Sequence, residues 1–242
     1  IQACYEKTVH RKVKNYTEYQ SASDAPLTLA AARHGKAALE QALATWFDGR
    51  NRGMVCEIYP YQEGSEIRFI VTHGQTYRSE GSIDKNLRKS RVAYRPQKHD
   101  SIIYDTQTGI LKLNAQSLPE KEEYRKQFGR VYFNDPEHFP AGDIYTLKPM
   151  QAAHFELSLP HGITSAQLCE IWIQIDDDQH VTQITKGYDL LRSARARAFP
   201  NLAAGAIVRA AFRVKYRSGG KARRLDVRPP NVAINDLDRD GA

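Results

Sequence analysis

Apolar residues alternate with polar ones in several short stretches of this chain and recur at helical spacing in a few longer ones. Cys169, Ile171, Ile173 and Ile175 alternate with polar neighbours, the period-two pattern of a strand with one buried face. This run returns through Asp176-Asp177-Asp178 into a second strand over 181–185. Residues 54–59 and 66–72 form another predicted pair, separated by Pro60 and a turn at Glu63-Gly64. A third joins 101–104 to 110–114 through Asp105–Gly109, where Asp accepts from the turn backbone and Gly takes positive φ. The fourth hairpin spans 207–228.

Helical spacing appears in three places. Leu39, Ala42, Leu43, Trp46 and Phe47 form an apolar stripe within the Ala-rich stretch 28–47, with Gly49 as its stop and Gly35 as a division. Ser117-Leu118-Pro119-Glu120 opens a second helix with a capping box and a proline just inside the start. Tyr124 and Phe128 supply its apolar stripe, and Gly129 is expected to end it. A third helix is predicted over 188–198. Four hairpins with intervening helices make an α+β chain of mainly antiparallel β-hairpins with a few helices. The segment 135–143, with Pro136, Pro140 and Gly142, is the expected boundary between two subdomains: 1–140, an N-terminal α+β part, and 141–242, a β-rich part holding the fourth hairpin.

Composition narrows the class. The 242 residues are 41% hydrophobic and 26% charged, which is ordinary for a soluble globular protein. No run of about 18 apolar residues is present to span a membrane. The chain begins at Ile1 without a signal-peptide pattern, so a fragment of a longer chain, a processed product or a renumbered chain is expected. Cys4, Cys56 and Cys169 are far apart. This excludes a zinc ribbon, argues against a disulfide framework and predicts a reducing, cytoplasmic setting.

Charge changes the picture most. Eight of the 35 basic residues and one of the 28 acidic ones lie in the fourth hairpin. The hairpin therefore carries all of the chain's net +7, and the remainder is formally neutral. If Gly219-Gly220 is a two-residue turn, Val214 faces Leu225, Phe212 faces Val227 and Tyr216 faces Arg223 on an apolar side. Lys215 then opposes Arg224 on the other side, and Arg213 opposes Asp226. Like charges directly opposed weaken a strand pair, whereas a concentrated positive surface attracts polyanions. Phosphate-backbone binding is one reading. A solvated outer face that keeps an edge hairpin from aggregating is the other.

Candidate chemistry elsewhere is sparse. The run Asp236-Leu-Asp238-Arg-Asp240-Gly241 opens like a calcium loop but lacks the bidentate Glu six residues after the Gly. Asp176–Asp178 with His180 reads as turn chemistry. Asp100, Asp105 and Lys112, or Glu57, Glu66 and Arg68, lack the acid-x-Lys spacing of a metal-dependent nuclease. Phosphate-binding and nucleophile motifs are missing. Arg95-Pro-x-Lys98-His99-Asp100 and Arg228-Pro-Pro-Asn231 look like motifs of unassigned role. The basic cluster His10-Arg11-Lys12-Val13-Lys14 adds a second, shorter positive run.

The expectation is a non-enzymatic nucleic-acid-binding domain without cofactor or metal, with little preference among DNA or RNA sequences, in a longer chain or complex. Its contacts would be Arg213, Lys215, Arg217, Lys221, Arg223, Arg224 and Arg228, extended by Arg192, Arg195 and Arg197. The alternatives are a protein-interaction or scaffolding domain of a larger assembly and, after it, a metal-dependent nuclease.

Overall fold

A computed structural model describes residues 16–83, 85–152, 154–176 and 178–235. Among the described residues 41% lie in strands and 22% are helical, with four α-helices and antiparallel sheets. This is the α+β class that the period-two runs predict. The described chain forms two compact units, one of Glu18–Ala141 and one of residues 16–17 with 142–235. The crossing at Ala141/Gly142 lies inside the Pro/Gly-rich stretch 135–143. Among the described residues no helix is long and apolar enough to cross a membrane.

The first strand, β1 (Tyr16–Gln20), begins in the second unit, where Tyr16 pairs with Ala233 and Thr17 with Val232. In the first unit, helices α1 (Leu29–His34) and α2 (Lys36–Asp48) meet at Gly35. Thr28 caps α1 by accepting from the Ala31 N–H at 3.2 Å. A Cβ on Gly35 would strike the Tyr132 ring, so glycine is required where the helix divides.

Strands β2 (Cys56–Glu63), β3 (Glu66–Gly74), β6 (Gln97–Asp105) and β7 (Ile110–Asn114) lie in the order β2-β3-β6-β7. Helix α3 (Leu118–Phe133) opens with the predicted capping box between Ser117 and Glu120. Leu39, Leu43, Phe47, Ile58, Phe69, Tyr104, Tyr124 and Phe128 bury one continuous core. Phe69 and Phe128 meet edge to face with centroids 5.2 Å apart, the geometry aromatic quadrupoles favour.

Helix α3 does not end at Gly129. It runs one turn further, to Phe133, and Asn134 closes it in the left-handed conformation. Gly129 is small for another reason: the chain folds back after the helix, and the Asp135 carbonyl lies where a Cβ would be.

The sequence pattern also missed an entire hairpin. Strands β4 (Arg78–Ile83) and β5 (Lys89–Tyr94) form a two-stranded ribbon of their own. It prolongs the β3–β6 pair. The last core-sheet pair is Gly74–Gln97 and the first ribbon pair Arg78–Tyr94. Between them lie Gln75, Thr76 and Tyr77 on one strand but only Arg95 and Pro96 on the other. One extra residue behaves as a bulge, which raises local twist and re-aims the strands beyond it.

In the second unit, β8 (Ile163–Asp176), β9 (Val181–Lys186), β10 (Ala206–Tyr216), β11 (Arg223–Arg228) and β12 (Val232–Asn235) lie in the order β12-β11-β10-β8-β9. Helix α4 (Leu190–Arg197) is capped by the Asp189 side chain. Leu168, Ile171, Ile173, Phe212 and Val214 form the core, with Leu225 and Val227 packed on it.

The basic hairpin β10–β11 has the expected faces but a different register. Phe212 pairs with Leu225, Arg213 with Arg224 and Val214 with Arg223, two residues from the arrangement with Gly219-Gly220 as a two-residue turn. Both glycines have positive φ, but in a longer loop. A slip of one residue would have exchanged the faces; a slip of two preserves them. Nor is this an edge hairpin, because β10 also pairs with β8 and β11 with β12. Protection of an exposed edge therefore does not account for its charge.

Gly129 gives a direct test of packing against propensity. Alanine exceeds glycine in helix propensity by about 1 kcal/mol, yet its Cβ would collide with the Asp135 carbonyl. Gly129→Ala is expected to lower the thermal midpoint in a calorimetric melt. A higher midpoint would show that the return of the chain relaxes freely.

Candidate nucleic-acid interface

The outer face of the second unit's sheet brings two nearly buried carboxylates, Glu170 on β8 and Asp226 on β11, under the basic hairpin. Arg209 clasps Asp226 through Nε and Nη2, with Nε at 2.9 Å from Oδ1, and Arg228 Nε adds a bond at 3.2 Å. Arg224 reaches Glu170 at 2.8 Å and stands 3.7 Å from Asp226. Trp172 donates its indole N–H to Glu170 at 2.7 Å, and the Arg209 guanidinium lies 4.7 Å from the Trp172 ring centre. Burial alone would raise both carboxyls. Hydrogen bonds from Arg209 and Arg228 to Asp226, and from Arg224 and Trp172 to Glu170, outweigh it and hold both below their ordinary values.

The ten predicted contact residues thus divide by environment. Arg224 and Arg228 are engaged by these carboxylates. Arg213, Lys215, Arg217 and Lys221 are exposed and Arg223 half-buried, and none of the five has a carboxylate partner among the described residues. Arg213 stands over the Tyr188 ring at 5.3 Å. On α4, Arg192, Arg195 and Arg197 are all exposed. Arg195 donates to the Phe155 carbonyl and lies 3.9 Å from Glu156. Tyr216 and Phe212 lie on the core side, unavailable for base stacking.

The first unit holds a different polar cluster. Lys98 and Asp100 lie on one side of β6 because alternate strand residues share a face. Asp100 accepts from Tyr124 Oη at 2.8 Å, stands 3.0 Å from His73 Nε2 and pairs with Lys98 Nζ at 3.1 Å. Lys98 also reaches Glu120 at 3.4 Å, and Arg52 binds the same carboxylate. His73 stacks on Phe47 at 3.9 Å.

Burial would raise the Glu120 carboxyl, but Arg52, Lys98 and the Ser117 N–H hold it at about 2. Burial, followed by the Asp100 charge, pushes the Tyr124 phenol well up. Asp100 is therefore a buried member of an ion-pair network. The motif-like Lys98-His99-Asp100 is its visible trace, an acid and a Lys in the reverse of the order a nuclease uses.

His73, Asp100 and Glu120 place ligand atoms within 4.8 Å of one another, all buried. Their chemistry is that of a closed ion-pair network. The Lys98 ammonium stands between the two carboxylates where a cation would sit, and Tyr124 and Arg52 take further lone pairs. A metal would have to displace a paired lysine from a buried carboxylate, so these residues do not fit a metal centre.

Asp105 accepts from the Gln107 N–H at 2.9 Å, as its turn position predicts. Asp176 accepts from the Asp178 and Gln179 N–H groups at the β8–β9 turn. Asp177, the Asp236–Gly241 run, Cys4 and the His10–Lys14 cluster lie outside the described residues. The Cys56 thiol is pushed up to about 12 by burial, then by Glu40 and Glu57, so it is no nucleophile at neutral pH.

Compared with protein-family models and with curated proteins, the chain matches none.

The Glu120 pairing generates an acid limit. A carboxyl held at about 2, below its ordinary 4.5, stabilises the fold fully above pH 4.5 and loses that contribution as pH falls towards 2. Stability followed by urea unfolding should drop across this window by about 3 kcal/mol from this group alone. In Glu120→Gln the acid slope should flatten; an unchanged slope would assign the acid transition to other carboxylates. Asp100→Ala, which takes the buried acceptor from Tyr124 Oη and His73 Nε2 and leaves Lys98 with Glu120 alone, should lower stability at pH 7 by about 3 kcal/mol, read from the urea midpoint.

Proposed function

We propose that this protein binds nucleic acid through its phosphate backbone, with the distal part of the β10–β11 hairpin as the contact. The observation that carries the proposal is the division of the hairpin's cations. Arg209, Arg224 and Arg228 are paired with buried Asp226 and Glu170. Arg213, Lys215, Arg217 and Lys221 project into solvent without carboxylates among the described residues. Arg213 lies directly opposite Arg224 on the adjacent strand, and because Glu170 is taken up by Arg224 it leaves the Arg213 charge uncompensated. An array of uncompensated Lys and Arg is the electrostatic footprint of polyanion binding. A backbone contact of this kind carries little base preference, because bases are read in the grooves.

The scaffolding alternative uses the same cations against an acidic protein. Salt dependence separates the two, since release of condensed counterions gives a linear fall of log affinity with log salt, of slope about −0.9 per phosphate contact on duplex DNA. A metal-dependent nuclease gains nothing from the Lys98–Asp100–Glu120 cluster, which is buried and internally paired.

Replacing Arg213, Lys215 and Arg217 by Glu should abolish binding to single-stranded and duplex oligonucleotides in fluorescence anisotropy while leaving the circular dichroism spectrum intact. Arg224 is left alone because a Glu there would face Glu170 and Asp226. Undiminished affinity in the triple variant would remove the hairpin from the interface.

A further inference from the structure

The β4–β5 ribbon is exposed on both of its faces: of its twelve strand residues only Ser82 is half-buried. None of its residues belongs to either hydrophobic core. An isolated two-stranded ribbon in water is marginal by itself, and this one leaves nearly all of its side-chain surface open to another molecule. Its chemistry indicates what. Residues 78–94 carry Arg78, Lys85, Arg88, Lys89 and Arg91 against Glu80 and Asp84, a net of +3 that is hidden when charge is averaged over the chain outside the basic hairpin. Opposed residues share a face, so Ser79, Gly81, Ile83, Lys89, Arg91 and Ala93 form one side.

That side is thin. Ser79 faces Ala93, and Gly81 faces Arg91, leaving the guanidinium with no neighbouring bulk at its paired position. Gly81 has neither of the internal reasons for a glycine. It lacks positive φ, and a Cβ there would meet nothing within 4 Å. A strand-interior glycine that its own fold does not require leaves room for another molecule to come close.

We infer that the β4–β5 ribbon inserts into the major groove of B-form duplex DNA, with its Gly81–Arg91 face toward the base edges. The inference rests on the nucleic-acid reading above and adds a substrate class to it. The major groove of B-DNA, about 12 Å wide, admits a two-stranded ribbon, and Arg is the side chain that most often pairs with guanine there. The major groove of A-form RNA is too deep and narrow for side chains to read. The bulge after Gly74 re-aims the ribbon relative to the β3–β6 pair, so groove insertion involves strands that carry no core residue.

The test measures binding of the full chain to single-stranded DNA, duplex DNA and duplex RNA of one sequence. Gly81→Val raises strand propensity, so the ribbon persists, but its branched side chain fills the thin face. Its affinity for duplex DNA should fall about tenfold and its affinity for single-stranded DNA should not change. Lys89→Glu with Arg91→Glu should give the same split, and the unmodified chain should prefer duplex DNA to duplex RNA. Duplex affinity unaltered in both variants overturns the ribbon proposal alone, provided the β10–β11 reversal still abolishes binding. Equal loss on single and double strands would make the ribbon a general backbone contact and overturn groove insertion. Competition by polyglutamate as effective as that by duplex DNA would assign the ribbon to an acidic protein instead. If the unmodified chain binds none of the three nucleic acids, the hairpin reading fails first and the ribbon proposal with it.

Discussion

Two buried carboxylates, Asp100 and Glu120, constrain the first unit more than any other feature. A charge taken out of water is tolerated only when paired and hydrogen-bonded. Here the partners come from widely separated places: Arg52 after α2, His73 at the end of β3, Lys98 on β6 and Tyr124 on α3. Satisfying both carboxylates therefore requires strand order, strand register and the seating of α3 to be right together. The capping box is part of the same arrangement, since Glu120 uses one oxygen to close the helix start on Ser117 and the other to receive Arg52 and Lys98.

The second unit solves a related problem with the opposite sign. Its sheet carries many cations on one face, and Glu170 and Asp226 lie among them as anchors. Arg209 illustrates how much one side chain contributes: it clasps Asp226, approaches Glu170 and covers the Trp172 ring. Such partly buried networks gain more from each charge than isolated surface pairs, whose contribution is about 0–1 kcal/mol. The positive charge left outside the network is available to a partner.

Much of this was visible in the chain. Period-two alternation identified the buried face of β10 and, on β8, Ile171 and Ile173, but Ile175 is exposed and a shift of register at Cys169 puts Leu168 in the core in its place. Ser117-Leu-Pro-Glu120 located the start of α3 within a residue. The β10–β11 register was not legible, because the glycine pair that signals a tight turn instead supplies two positive-φ residues in a wider loop. Gly129 read as a helix stop because local sequence does not reveal the returning carbonyl of Asp135. The pairing of Glu170 with Arg224 spans 54 residues and leaves no local trace. The ribbon was missed for a different reason: Arg-Ser-Glu-Gly-Ser-Ile has no apolar alternation to detect, since neither of its faces is buried.

The extra residue between Gly74 and Arg78 has a consequence for how this chain tolerates change. A bulge interrupts the regular pairing, so ribbon and core sheet are two cooperative segments of one long hairpin. Opening the distal segment exposes almost no apolar surface that was not already wet, and it leaves the His73–Asp100 pairing on the proximal side in place. The arm belongs to the low-stability end of the native ensemble while its root is held by the most constrained part of the molecule. Its tip is therefore free to vary in length and composition without disturbing the ion-pair network beneath it.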